Sequence, residues 1–139
     1  MIDFKAMFKN FEFPFTVEEG KDDYYCLGLP LFYTDGDGVE IYVKKCPNGI
    51  FTMSDDGWTL GVHSCFDRRN IEVVKRIINH RDFTRYDEET DEISATSTER
   101  NFAVALLEMA SVMVAANYAV TALRGMKVTK NADKASRKE

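Results

Sequence analysis

Apolar residues in "MIDFKAMFKNFE" recur near helical spacing (Ile2, Phe4, Met7, Phe8 and Phe11) and predict a short amphipathic helix. "VEEGKDD" reads as a polar turn. The aromatic-rich "YYCLGLPLF" reads as a strand near 24–29, with Pro30 marking its end or an edge. Two alternating runs follow. In "GVEIYVKKC", Val39, Ile41 and Val43 alternate with Glu40, Tyr42 and Lys44; in "IFTMS", Phe51 and Met53 alternate with Thr52 and Ser54. They predict a hairpin of strands 39–46 and 50–54 joined through "PNG". A two-residue Asn-Gly loop would pair Val43 with Ser54 and mix the faces. A three-residue loop with Gly49 left-handed pairs Val43 with Met53 and Cys46 with Ile50, placing the five apolar residues on one side. That register is expected.

After the turn "DDGWTL", Trp58 and Leu60 are expected to return to the core. "FDRRNIEVVKRIINH" predicts a helix capped by Asp67, with Ile71, Val74 and Ile78, joined by Val73 and Ile77, as its buried stripe. Strands near 83–86 and 91–96 flank an acidic turn. Thr98 is then the expected cap of a long helix from Glu99 to Arg124, with Gly125 as its stop. The elements together predict an α+β fold: a small antiparallel sheet packed on the long C-terminal helix and two shorter helices. The long helix is apolar around nearly all its circumference, broken chiefly by Glu108 and Asn117. About 20 apolar residues suffice to span a bilayer, but Glu108, the many small residues and the lack of a second span argue against membrane insertion. A central helix wrapped by the sheet, or one shared with a second copy, is expected instead; a homodimer would use Phe102, Leu106, Met109, Met113, Ala116 and Val120 as its face.

Composition adds that the 139 residues, 45% hydrophobic and 29% charged, make one soluble domain over 1–126 followed by a basic tail, 127–139, expected to be disordered. The N-terminal segment lacks the features of a secretory signal, so a cytoplasmic location is expected. The net charge of −5 is unevenly spread. Residues 10–66 hold three basic and ten acidic side chains, and residues 86–99 hold six acidic and none basic; residues 67–85 carry six basic and three acidic. Such a body disfavours direct nucleic-acid binding and favours a basic partner or a cation. The basic helix (Arg68, Arg69, Lys75, Arg76) is the one segment suited to nucleic acid. Three cysteines, Cys26, Cys46 and Cys65, lack the spacing of a disulfide framework or of a zinc site with His63 and are read as small buried thiols.

Candidate chemistry concentrates in the hairpin. Continued along the ladder, the expected register sets Ile41 opposite Asp55 and Glu40 opposite Asp56, with Asp35 and Asp37 at the same open end. Like charges directly across a ladder repel. Three readings are open: solvated turn residues, a surface for Lys and Arg of a partner, or a Mg²⁺ or Ca²⁺ site. "DGDG" begins like a calcium loop, but Val39 and Cys46 stand where oxygen ligands belong. Glu40 and Lys44 lack the tight spacing of metal-dependent nucleases. No nucleophile stands by motif beside His63 or His80, and His80 is expected to cap the end of the basic helix. No catalytic residue, metal ligand or cofactor is therefore assigned.

"LPLFYTDGDGVEIYVKK", "GIFTMSDDGWTL" and "DEISATSTERNFAVALLEMASVMVAANY" resemble, in order, a small bacterial and phage family, domain of unknown function 1828, over roughly residues 24–120. The resemblance rests on "GDG" before a strand, "DDG" after the next, and an "EI-A" strand leading into a long helix. It carries the family's acidic positions onto Asp37, Asp55 and Asp56, its turn glycine onto Gly57 and its hydrophobic filler onto Trp58. It implies an α+β fold and a phage or mobile-element setting, hence the host cytoplasm. That setting implies an anti-defence inhibitor (anti-CRISPR or anti-restriction) that binds a basic, nucleic-acid-binding host surface. The expected partner-binding residues are Asp35, Asp37, Glu40, Asp55 and Asp56 with Asp87, Glu88, Glu89, Asp91 and Glu92 of "YDEETDE". The alternative is a metal-dependent nuclease or hydrolase using Asp37, Glu40, Asp55 and Asp56.

Overall fold

Alternation decides which way each strand faces, and the burial of every strand but the first follows it. The structure, a computed structural model, describes residue 3 and residues 16–136; the helix expected over residues 1–12 lies outside the described residues. Strands β1 (Thr16–Glu19), β2 (Tyr24–Phe32), β3 (Gly38–Lys45), β4 (Ile50–Ser54), β5 (Thr84–Tyr86) and β6 (Ile93–Thr98) form one antiparallel sheet in the order β1-β2-β3-β4-β6-β5. Tyr25, Leu27, Leu29, Val39, Ile41, Val43, Phe51, Met53, Ile93 and Ala95 are buried on one face. Three helices cover that face: the single turn α1 (Trp58–Gly61), α2 (Ile71–Ile78) and α3 (Phe102–Ser136). The fold is α+β, as expected.

The hairpin forms in the expected register. Val43 pairs with Met53, and the Cys46 amide donates to the Ile50 carbonyl at 2.7 Å. Both Asn48 and Gly49 of the connecting turn are left-handed, with φ of 70° and 71°. Its ladder ends at Tyr42 and Ser54, however, and does not run on to Glu40 and Asp56. Asp55 instead donates its amide to the Ile93 carbonyl on β6, and Asp56 turns left-handed with φ 55°. Pro30 lies inside β2 rather than at its end. It sits in the irregularity between Leu29 and Phe32, beyond the residues that β1 pairs, where a missing N–H leaves no ladder bond unmade. β1 falls largely in the stretch expected to be a polar turn. All four of its residues are exposed, so no apolar alternation marks it.

Helix α2 follows a 3₁₀ turn over Arg68–Asn70, and Asp67 accepts from the Arg69 amide as the expected cap. Val74 and Ile78 are buried with Ile71, Val73 and Ile77 partly so. At its other end Arg81 Nε, not His80, donates to the Ile77 carbonyl at 2.9 Å. α3 begins at Phe102, after a turn through Glu99, and Gly125 lies within it rather than stopping it. Phe102, Leu106, Met109, Met113, Ala116 and Val120 are all at most 2% exposed, packed on the chain's own sheet. They cannot also face a second copy. The opposite stripe carries Val104, Ser111, Ala115 and Tyr118, two of them large apolar side chains left exposed. By length and composition the segment Phe102–Gly125 could cross a membrane, but half of it is buried within the fold.

The two polar breaks in this helix are structural ties. Glu108 Oε1 accepts from the Phe83 amide, the Thr84 amide and the Thr84 hydroxyl at 2.8–3.0 Å, holding β5. Burial pushes its carboxyl up, but these bonds outweigh burial and leave it below the ordinary glutamate range. Asn117, fully buried, ties down the loops described next.

Candidate functional site

The loop from β2 to β3 must reverse the chain within five residues. Gly36, with φ 90°, permits this, the Tyr33 amide donates to the Asp37 carbonyl at 2.9 Å, and Asp35 Oδ1 accepts from the Asp37 amide at 2.9 Å. The loop after β4 is built on Asp55. Its carboxylate, 1% exposed, accepts from the amides of Gly57 and Ile93 at Oδ1 and of Thr59 at Oδ2. It caps α1 and ties the turn to β6. Burial raises its pKa, and the three amides partly offset that. Asp55 therefore has no free oxygen for a partner. Gly57 is left-handed at φ 74°, and a Cβ there would stand 3.2 Å from the Thr90 carbonyl oxygen, so the "DDG" turn needs its glycine.

Asn117 clamps the two loops together. Its Oδ1 accepts from the Thr34 amide at 2.9 Å, and its Nδ2 donates to the His63 carbonyl and the Ser64 hydroxyl at 3.2 and 2.9 Å. The clamp brings His63 against Asp35: Nδ1–H donates to Asp35 Oδ2 at 2.7 Å, with Asp37 Oδ2 at 3.6 Å. The Asp37 amide, then His63, hold the Asp35 carboxyl below its ordinary range. The imidazole stacks on Tyr33, centroids 4.2 Å apart at 17°, and lies 6.4 Å from Trp58. Tyr33 hydrogen-bonds the Thr59 hydroxyl at 2.7 Å, and burial raises its phenol well above the usual range.

Between the loops opens a cleft of about 280 Å³, lined by Tyr33, Asp37, Gly38, Glu40, Tyr42, Asp55, Trp58 and His63. Trp58 is 47% exposed and forms part of the wall rather than entering the core; Thr59 and Leu60 of the same helical turn are the buried pair. The donor atoms of Asp35, Asp37 and His63 lie within 4.8 Å of one another, a geometry able to hold a cation. No motif in the sequence singles out His63, because its partner Asp35 lies 28 residues away.

In the second acidic run, four of the five carboxylates have partners within the chain. Glu92 accepts from the Ser54 hydroxyl at 2.8 Å, and that hydroxyl accepts from the Asp56 amide. Asp91 accepts from the Tyr86 phenol at 2.7 Å and lies 3.5 Å from Arg68. Arg68 also donates to the Glu88 carbonyl, and Lys75 pairs with the Glu88 carboxylate. Asp87 accepts from the Glu89 amide. The basic segment thus pairs with two of the five acids of the turn, Glu88 and Asp91, and Arg69 is paired with Asp67; of the four cations suited to nucleic acid, only Arg76 has no ion pair among the described residues. By contrast, no described Lys or Arg pairs with Asp35, Asp37, Glu40 or Asp56. A second hollow, of about 370 Å³, has a basic lining of His80, Arg81 and Arg85. None of the three cysteines is the buried thiol expected: Cys26 and Cys46 are only partly buried and Cys65 is exposed. Burial, then the Glu40 and Glu18 carboxylates, pushes the Cys26 thiol up to about 11.

The GDG and DDG turns and the strand leading into α3 lie in the region that matches the family model for domain of unknown function DUF1828, residues 29–116. The chain belongs to the DUF1828 family. Every residue lining the cleft falls inside the DUF1828 match, whereas Asn117, which clamps its two loops, lies one position beyond it. No curated protein matches the chain. No solved structure matches it either.

Proposed function

We propose that this DUF1828 domain is a non-enzymatic interaction protein that presents acidic surface to a basic protein partner, in the setting of phage defence evasion. The observation that carries this reading is the contrast between the two acidic groups. Of the five acids at 87–92, Glu88 and Asp91 are paired with Lys75 and Arg68, while Asp37 and Glu40 line a concave site to which no described Lys or Arg contributes. Unneutralised acids in a cleft focus a negative potential outward and steer a basic partner toward it. A host protein that binds nucleic acid offers the matching Lys- and Arg-rich surface. A second copy, if it belongs to the assembly, is left the Val104 and Tyr118 stripe of α3.

The interaction surface under this reading is Asp35, Asp37, Glu40 and Asp56; Asp55 is withdrawn from it because its oxygens hold backbone amides. The test is phage plating on hosts carrying a restriction or CRISPR system. Cells expressing the chain should plate the restricted phage more efficiently, and cells expressing an Asp37→Lys, Glu40→Lys variant should not. Equal plating with and without the wild-type chain, across such hosts, overturns the anti-defence role.

A metal-dependent hydrolase is the second reading, favoured by the donor atoms of Asp35, Asp37 and His63 rather than by Asp55 and Asp56. Two carboxylates and an imidazole suit Mn²⁺ or Zn²⁺. The absence of both a thermal shift with Mn²⁺ or Zn²⁺ and cleavage of DNA or RNA in their presence would dismiss it.

A further inference from the structure

We infer that the cleft between the two loops receives an arginine side chain of the partner protein. The inference rests on the reading above and assigns the chemistry of the contact. At about 280 Å³ the cleft falls just below the roughly 300–1,000 Å³ of small-molecule sites, a size suited to one side chain. Its lining combines two features. Asp37 and Glu40 supply negative charge, and Tyr42 and the half-exposed Trp58 supply aromatic surface. An exposed tryptophan in the wall of an acidic cleft contributes nothing to a core, yet it supplies the face on which a cation stacks.

A guanidinium uses both features at once. It is planar, so it stacks on an aromatic ring while its edge donors reach carboxylates; an ammonium is a compact, strongly hydrated point charge that does this less well. The cleft is preorganised for the contact. Tyr33 is held by Thr59, His63 by Tyr33 and Asp35, and both loops by Asn117. The ordering cost on binding therefore falls mainly on the incoming side chain.

Trp58 is the one tryptophan of the chain, so its fluorescence reports on this cleft alone. The experiment titrates the full chain at low salt with a short arginine-glycine peptide and with its lysine-glycine counterpart. The arginine peptide should change Trp58 emission and bind about threefold to tenfold more tightly than the lysine peptide. Asp37→Asn and Glu40→Gln should each weaken the arginine peptide about tenfold and shrink its margin over lysine, while Glu19→Gln on β1 should bind as wild type. Circular dichroism verifies that each variant is folded. Equal affinity for the two peptides overturns the inference while leaving the acidic-surface reading in place; tight arginine binding that leaves Trp58 emission and both cleft variants unaffected overturns both, because it puts the contact away from Asp37 and Glu40. Failure of both peptides to bind at low salt overturns the inference and the acidic-surface reading together.

Discussion

Replacing Asn117 by alanine tests whether one buried amide holds the site together. The substitution removes the acceptor of the Thr34 amide and the donors to the His63 carbonyl and the Ser64 hydroxyl. Each hydrogen bond contributes about 1 kcal/mol net, and a buried group left unsatisfied costs about 1–3 kcal/mol. Ser64 keeps its bond to the Thr59 carbonyl, and water can reach the exposed Thr34, so the sum falls near 3 kcal/mol. That is a large part of a total stability of about 5–15 kcal/mol, and for a chain of this length it lowers Tm by roughly 10 °C. Urea denaturation followed by circular dichroism gives the stability, and Trp58 fluorescence on the same samples follows the cleft. The control is Thr121→Ala, which removes only an exposed hydroxyl contact with Thr34 and should change stability by less than about 0.5 kcal/mol. An Asn117→Ala chain as stable as that control, with unchanged Trp58 emission, would refute the clamp.

Other perturbations read out the remaining ties. Asp55→Ala strips acceptors from three backbone amides and should cost about 3–4 kcal/mol, measured by the same denaturation; a loss under about 1 kcal/mol would mean that Asp55 is not the cap described. Gly57→Ala forces a Cβ into a left-handed turn beside the Thr90 carbonyl and should cost about 1–2 kcal/mol or more, whereas Gly61→Ala, with open space around it, should not. Glu108 has its folded pKa below the ordinary value. Its contribution is therefore present above the unfolded pKa of about 4.3 and lost as pH falls through the lower folded value. Glu108→Gln should accordingly flatten stability against pH below about pH 4.5. An unchanged acid limb in the variant would contradict that role.

Much of the frame was legible because it is local. Alternation and the "PNG" turn were enough to set Val43 against Met53, since the wrong register would expose a whole face. The core stripe of α3 was equally readable, but not what covers it: a sequence pattern says that Leu106 and Met113 are buried, not whether by their own sheet or by another chain. Interactions distant along the chain were not legible. Glu108 and Asn117 stood out as polar breaks, yet their partners lie 24 to 83 residues away and no spacing announces them. Asp55 illustrates the opposite error. Two adjacent aspartates before a glycine look alike in sequence, but one points inward to cap α1 and the other stays exposed. The opposite charges of 67–85 and 86–99 are visible as neighbours in the chain, but not which of them meet: Arg68 reaches Asp91 and Lys75 reaches Glu88.

The central claim is that Asp37 and Glu40, not the 87–92 turn, meet a basic partner. Amide chemical shifts of the full chain, recorded while an arginine-rich peptide is titrated at low salt, test it most directly. The predicted result is a set of shifts confined to residues 34–42 and 55–63, with residues 87–92 unmoved. Shifts centred on residues 87–92, with the cleft silent, would contradict it.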